Sequence, residues 1–274
     1  MQERMILLND RPQHYCETGP EDAPVIVLLH GISSGAHSWE PLAPHLPGFR
    51  LLAWDAPGYG SSAALTTDHP DAANYADRLN DWLDALNINN VLLVGHSLGA
   101  LIASAFVARH GRLVAGVILA DPARGYKHET AEVRDQVYRS RWPALVELGN
   151  DAFATERAPR LLRPGPEASA LERVQAGMSR LNLDGFKAAN WLLANDDLTD
   201  WWPVHTALPA RVLCGDDDAI TRPDSVRALS ATLALPYRGI ARAGHASYLD
   251  APAAFARELI DVAGIAGLEM EHLT

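Results

Sequence analysis

The sequence predicts an α/β protein built on an open, mostly parallel sheet flanked by helices. Short, nearly continuous runs of Val, Ile and Leu recur along the chain, as strands buried on both faces do. Between them lie segments with apolar residues at three- and four-residue spacing, the mark of helices with one buried face. Strands alternating with helices imply right-handed crossovers in a parallel sheet. At 274 residues the chain suits one large domain, or a domain carrying an insertion.

Taken in order, residues 5–8 and 14–17 form an antiparallel start. Residues 25–30 (VIVLLH), 50–55 (RLLAWD), 91–96 (VLLVGH), 114–121 (VAGVILAD) and 211–216 (RVLCGD) are the clearest core strands, and 237–242 (YRGIAR) a weaker one, giving about eight. Residues 71–86 place Ala72, Tyr75, Ala76, Leu79, Trp82, Leu83 and Leu86 on one helical stripe. Residues 98–110 are almost wholly apolar, as a helix against a sheet centre should be. The last helix, 252–265, carries Pro252 near its start, where a missing N–H costs little. From 122 to 206 the alternation stops: helical stretches at 129–141, 143–157 and 168–180, a Pro/Gly turn at 164–166, and four of the seven Trp residues. This predicts a helical cap, 122–206, inserted into a core made of 1–121 and 207–274.

Composition narrows the function. With 48% hydrophobic and 21% charged residues the chain is neither disordered nor collagen-like. A net charge of −11 and no basic run argue against nucleic-acid or anionic-membrane binding. No apolar stretch reaches ~18 residues, and the N-terminus lacks the features of a signal peptide. Cys16 and Cys214 have no partner at metal-ligand spacing, so no metal is expected and a reducing, cytoplasmic setting is the default.

Chemistry enters at Gly95-His96-Ser97-Leu98-Gly99, which ends a predicted strand and opens a predicted helix. Glycine on both sides permits a tight turn and close helix packing, lifting the Ser97 hydroxyl above the sheet edge. A serine needs a base. His245, in Ala243-Gly244-His245 after the last strand, is the best of 11 histidines; His96 should point away and pack. An imidazole base needs an acid to fix its tautomer. Asp218 fits, at the end of Gly215-Asp216-Asp217-Asp218, with Asp216, Asp217 and Asp121 as rivals. The oxyanion requires two N–H donors. Leu98 supplies one, and Ile32, after Gly31 in the loop that follows the 25–30 strand, the other.

These residues, with the stretch Asp55-Ala56-Pro57-Gly58-Tyr59-Gly60-Ser61-Ser62, resemble the α/β-hydrolase superfamily in family order over nearly the whole chain. The resemblance implies the α/β-hydrolase fold and the triad Ser97, Asp218 and His245. Within the superfamily the chain looks like the 3-oxoadipate enol-lactonase-like hydrolases with a helical cap. Dehalogenases and epoxide hydrolases of this fold use Asp where Ser97 stands. Carbon–carbon hydrolases usually carry Asn before the nucleophile and Trp soon after the base, where this chain has His96 and Ala246-Ser247-Tyr248.

The sequence is thus read as a cofactor-free serine hydrolase of a small carboxylic ester or lactone. Carbon–carbon hydrolysis, cofactor-free oxygenation or perhydrolysis, and slow-turnover ligand binding on the same fold remain alternatives. Trp142 and Trp191 are expected to line an apolar pocket, and Gly31 and Ser33 to touch substrate. The closer resemblance implies a carboxylated lactone, and Arg124, directly after the 114–121 strand, is the candidate cation for it.

Overall fold

The computed structural model describes residues 1–203 and 207–268; the predicted end of the cap, at 204–206, lies outside the described residues. Eight strands form one sheet: β1 (Gln2–Leu8), β2 (Arg11–Thr18), β3 (Val25–Leu29), β4 (Arg50–Trp54), β5 (Val91–His96), β6 (Val114–Ala120), β7 (Ala210–Gly215) and β8 (Tyr237–Ile240), in the order β1-β2-β4-β3-β5-β6-β7-β8. β1 and β2 pair antiparallel, as does β2 with β4; every other pairing is parallel. This is the α/β-hydrolase architecture that the motifs imply.

The strand order positions the site. From β3 the chain moves to β4 on one side, then crosses back to β5 on the other. Loops leaving the carboxyl ends of β3 and β5 therefore diverge and open a crevice between them, the switch point where open α/β sheets bind ligands. Those two loops hold Gly31-Ile32 and Ser97.

Helices cover both faces. α1 (Ala72–Ala85) starts with a capping box in which Asp71 and Asn74 satisfy each other's backbone N–H groups. α2 (Leu98–His110) is buried from Leu98 through Val107, so it carries no polar face until its end. Between β6 and β7 come α3 (Ala131–Arg139), α4 (Trp142–Leu148), α5 (Asn150–Arg157), α6 (Ala168–Met178), α7 (Leu183–Asn195) and α8 (Leu198–Trp201); α9 (Pro223–Thr232), α10 (Ser247–Asp250) and α11 (Pro252–Ile265) complete the chain. The helical stretch at 143–157 is two helices, because Gly149 adopts φ 74° between them. α7 and α9 were not anticipated, although Pro223 at the first position of α9 is a helix-start signal.

The helices between β6 and β7 are tied down at several points. A Cβ on Gly58, which has φ 83°, would fall 2.6 Å from the Gly185 Cα, so the β4 loop and α7 meet glycine to glycine. The Asp196 carboxylate accepts the first N–H of α1 (Ala72, 2.8 Å), and Ala246 N–H donates to the Leu161 carbonyl at 2.7 Å.

Candidate active site

β5 ends directly in Ser97, whose backbone takes φ 54° and ψ −115° before α2 begins. That conformation is unusual for a residue with a Cβ. It is held by the Ser97 N–H bond to the Ala120 carbonyl on β6 (2.9 Å) and by glycine packing: a Cβ on Gly95 would fall 2.3 Å from the Gly99 carbonyl oxygen.

His245 follows β8. Its Nε2 lies 3.0 Å from Ser97 Oγ, and its Nδ1 lies 2.9 Å from Asp218 Oδ2. The structure separates the acids at 216–218 by burial: Asp216 and Asp217 are exposed, whereas Asp218 is buried. Asp218 Oδ1 accepts the Ile220 and Thr221 N–H groups at 2.7 and 3.0 Å, and the Thr221 hydroxyl donates to Oδ2 at 2.7 Å. Burial pushes the Asp218 pKa up, but the bonds from His245 and Thr221 and the His245 charge outweigh it, leaving a net downward shift. For His245, burial opposes the charged ring, yet the Asp218 bond and charge raise its pKa above the ordinary 6.5.

Asp121, the rival at the end of β6, makes no hydrogen bond to the His245 ring, although its charge also favours the protonated ring. Its Oδ1 accepts the Gly215 N–H (2.7 Å) and its Oδ2 the Ser247 hydroxyl (2.5 Å). Burial first, and the Asp218 charge, raise its pKa to about 7. Asp121, Cys214 and Asp218 place potential ligand atoms within 4.8 Å of one another. Those carboxylates are already occupied by N–H and O–H donors. The Cys214 thiol points at the carbonyls of Gly215 and Thr221, and burial raises its pKa far above the usual range. The cluster is a hydrogen-bonded brace rather than a set of open ligands.

Among the described residues, neither the Ile32 nor the Leu98 N–H donates to another group of the chain. Leu98 is the first residue of α2, where N–H groups have no partner inside the helix. The β3 loop is fixed from behind. Tyr59 donates its hydroxyl to the Ile32 carbonyl at 2.7 Å, and His30 bonds both the Gly31 carbonyl (2.8 Å) and the Ala56 N–H (3.0 Å). Asp55 Oδ1 accepts the Ala36 N–H at 2.7 Å. The 55–62 motif thus shapes the loop without entering the cavity.

Two expectations are corrected. His96 packs as expected, buried against Trp39 and Tyr248, but it does not point away from the site: it lines the cavity, its Nε2–H donating to the His245 carbonyl at 2.8 Å. Burial and the neighbouring His245 push its pKa down to about 3, so it stays neutral. Trp142 and Trp191 are absent from the cavity wall. Trp142 sits under the Lys187 ammonium (4.9 Å), and Trp191 packs on His69 (3.8 Å). Helical geometry explains Trp191: Leu193 lines the cavity, and a residue two positions away lies ~200° around the helix. The apolar wall is instead Phe153, Leu161, Val174, Met178 and Leu193.

Gly31, Ser33, Ser97, His245 and Arg124 all line this cavity of about 910 Å³. Arg124 is exposed and its Nε donates to Asp197 Oδ2 at 2.9 Å. Thr221, Tyr59, Ser247 and Arg141 were not singled out from the sequence; Tyr59 alone had a signal, its place in the 55–62 motif.

The alpha/beta hydrolase family profile matches residues 26–258, and the chain belongs to that family. An Acinetobacter baylyi (E)-2-((N-methylformamido)methylene)succinate hydrolase is 31% identical over 215 residues, 77% of this chain and 78% of that one. A Klebsiella pneumoniae 2-succinyl-6-hydroxy-2,4-cyclohexadiene-1-carboxylate synthase is 30% identical over 245 residues, 87% and 93% of the two chains. The enol-lactonase from Burkholderia xenovorans superposes with a TM-score of 0.81 at 22% identity, covering 95% of this chain and 100% of that one. Among the described residues, no helix is long and apolar enough to cross a membrane.

Proposed function

We propose that the protein hydrolyses a small carboxylic ester or lactone through an acyl-enzyme on Ser97, under a helical cap formed by residues 122–206. The observation that carries this reading is the continuous relay from Asp218 Oδ2 through His245 to Ser97 Oγ at the floor of an open cavity.

The steps follow from the geometry. Asp218 accepts the Nδ1–H of His245, which leaves the lone pair on Nε2 facing Ser97. As Oγ attacks the carbonyl carbon, Nε2 takes its proton, and the charged ring is stabilised by the buried Asp218. The Ile32 and Leu98 N–H groups receive the oxyanion. Collapse of the tetrahedral intermediate breaks the bond to the alkoxy oxygen, which takes the proton from His245. In a lactone that oxygen stays tethered to the acyl group. Water then repeats the sequence with His245 as base and frees Ser97. This route requires no metal or nucleotide.

Hydrolysis of 4-nitrophenyl acetate by the wild type and by Ser97→Ala tests the reading. Ser97-dependent turnover is expected; near-wild-type turnover by Ser97→Ala would overturn it. The relative named as a synthase supports a second reading, in which Ser97 and His245 act as a base pair and no acyl group reaches Ser97. Intact-protein mass spectrometry after acid quench distinguishes the two: the first reading expects the mass of an acylated serine.

A further inference from the structure

The cavity wall is charged against the chain that builds it. The protein carries a net −11, yet among the described residues six arginines and only two carboxylates, Glu129 and Asp197, line the cavity. Most of these guanidiniums already meet a carboxylate. Arg124 bonds Asp197 at 2.9 Å, Arg173 bonds Glu40 at 2.7 Å, and Arg157 and Arg160 lie 3.6 and 3.7 Å from Glu156. Arg222 is exposed.

Arg141 differs. It stands at the joint between α3 and α4, and its side chain reaches into the cavity. Among the described residues its side chain makes one hydrogen bond, from Nη1 to Ser140 Oγ at 2.9 Å, and no ion pair. Burial lowers its pKa, and the Arg157 charge acts in the same direction. Its own charge is felt at His245, so it shares the space in which the Ser97–His245 pair works. Arg141 is half-buried, so its guanidinium faces the cavity with part of its hydration lost and no counter-charge in the chain to replace it. Its planar fork of five donors matches a carboxylate.

We propose that Arg141 is a carboxylate subsite: the substrate carries a free carboxylate that Arg141 binds while its ester or lactone carbonyl meets Ser97. The proposal rests on the ester/lactone reading of the site. The guanidinium-rich wall draws such an anion in against the repulsion of the chain as a whole, an attraction that added salt weakens. The apolar residues Phe153, Leu161, Val174 and Met178 then receive the carbon skeleton between the two ends.

Two esters test this. Mono-4-nitrophenyl adipate presents a free carboxylate; methyl 4-nitrophenyl adipate has the same skeleton with that carboxylate capped. The wild type should favour the anion by about tenfold or more in kcat/KM, the worth of a charge-assisted hydrogen bond, with the advantage carried by KM. Arg141→Met and Arg141→Gln should collapse that ratio to about one, and Arg141→Lys should restore part of it. Arg124→Met, whose guanidinium Asp197 already holds, should keep it. In parallel, calorimetry of adipate on Ser97→Ala should show affinity falling about tenfold when Arg141→Met is added. If adipate binding depends on Arg141 but neither ester turns over, the subsite stands and the ester reading falls. If turnover depends on Ser97 but shows no preference for the anion, the subsite falls and the ester reading stands. Collapse of the ratio in Arg124→Met rather than in Arg141→Met would also overturn the assignment.

Discussion

A Cβ placed on Gly31 would stand 3.0 Å from the Cβ of Ser97 and 2.9 Å from the Nδ1 of His96. The loop after β3 can lie against the nucleophile only because residue 31 has no side chain. Gly31→Ala must push that loop outward and carry the Ile32 N–H away from the oxyanion. Loss of one such donor lowers kcat on the order of 10²–10³-fold. Steady-state kinetics on an aryl ester check this, and a variant within threefold of wild type would remove Ile32 from the oxyanion site.

Ser97 offers a paired test of chemistry and strain. Ser97→Ala deletes one hydroxyl and no core volume, so turnover should fall at least ~10³-fold with the fold intact. Ser97→Gly should be equally inactive but more stable, because φ 54° is unfavourable for a residue with a Cβ and open to glycine. Strain of this kind is worth about 1–3 kcal/mol. Thermal melts of the two variants should therefore show Ser97→Gly unfolding at the higher temperature; an equal or lower Tm would mean that the elbow is not strained.

The two buried acids are distinguished by isosteric amides. Asp218→Asn removes the acceptor that fixes the His245 tautomer and should lower kcat on the order of 10⁴-fold. Burial, foremost, and the Asp218 charge raise the Asp121 pKa to about 7, so its charge is the less firmly held of the two. Its bonds to Gly215 and Ser247 serve the loops around His245 rather than the ring. Asp121→Asn should cost less than about tenfold, a small step on the scale of a triad acid. The reverse ranking would move the triad acid to the end of β6.

Activity should rise with pH through the titration of His245. The protonated ring cannot accept the Ser97 proton, so kcat/KM is lost as pH falls through the free-enzyme pKa. Burial alone would place that pKa below 6.5, but Asp218 raises it, so the acid limb should have its midpoint above 6.5. Removing the charge in Asp218→Asn should shift the limb of the residual activity downward. A flat profile from pH 5 to 8 would argue against a histidine base in the step observed.

Much of the fold was legible because its signals are local. Runs such as VIVLLH and VLLVGH read as buried parallel strands wherever they occur, and each corresponds to a strand of the sheet. The elbow was legible for the same reason: Gly95, Ser97 and Gly99 are neighbours in sequence and mark the turn, although its backbone is also held by Ala120 on β6 and packed against β3. α7 was harder to see. Its buried positions face both α3 and the glycine contact at Gly58, so they do not make one clean stripe.

What the amino-acid sequence determined by itself is the α/β sheet and the place of the elbow, since periodicity and short-range turn chemistry are written within a few residues. Tertiary structure alone decided the rest. Asp216, Asp217 and Asp218 are the same residue type in succession, and only the packing of the β7 loop against His245 buries the third and leaves two in water. Arg124 and Arg141 are likewise equal as letters. One is taken by Asp197, 73 residues away, and the other is left facing the cavity without a carboxylate. Trp142 and Trp191 turn to Lys187 and His69 because the helices that carry them are rotated by contacts formed across the fold. A charge or an aromatic ring takes its role from the partners that folding brings within a few ångströms, and those partners lie tens of residues away in the chain.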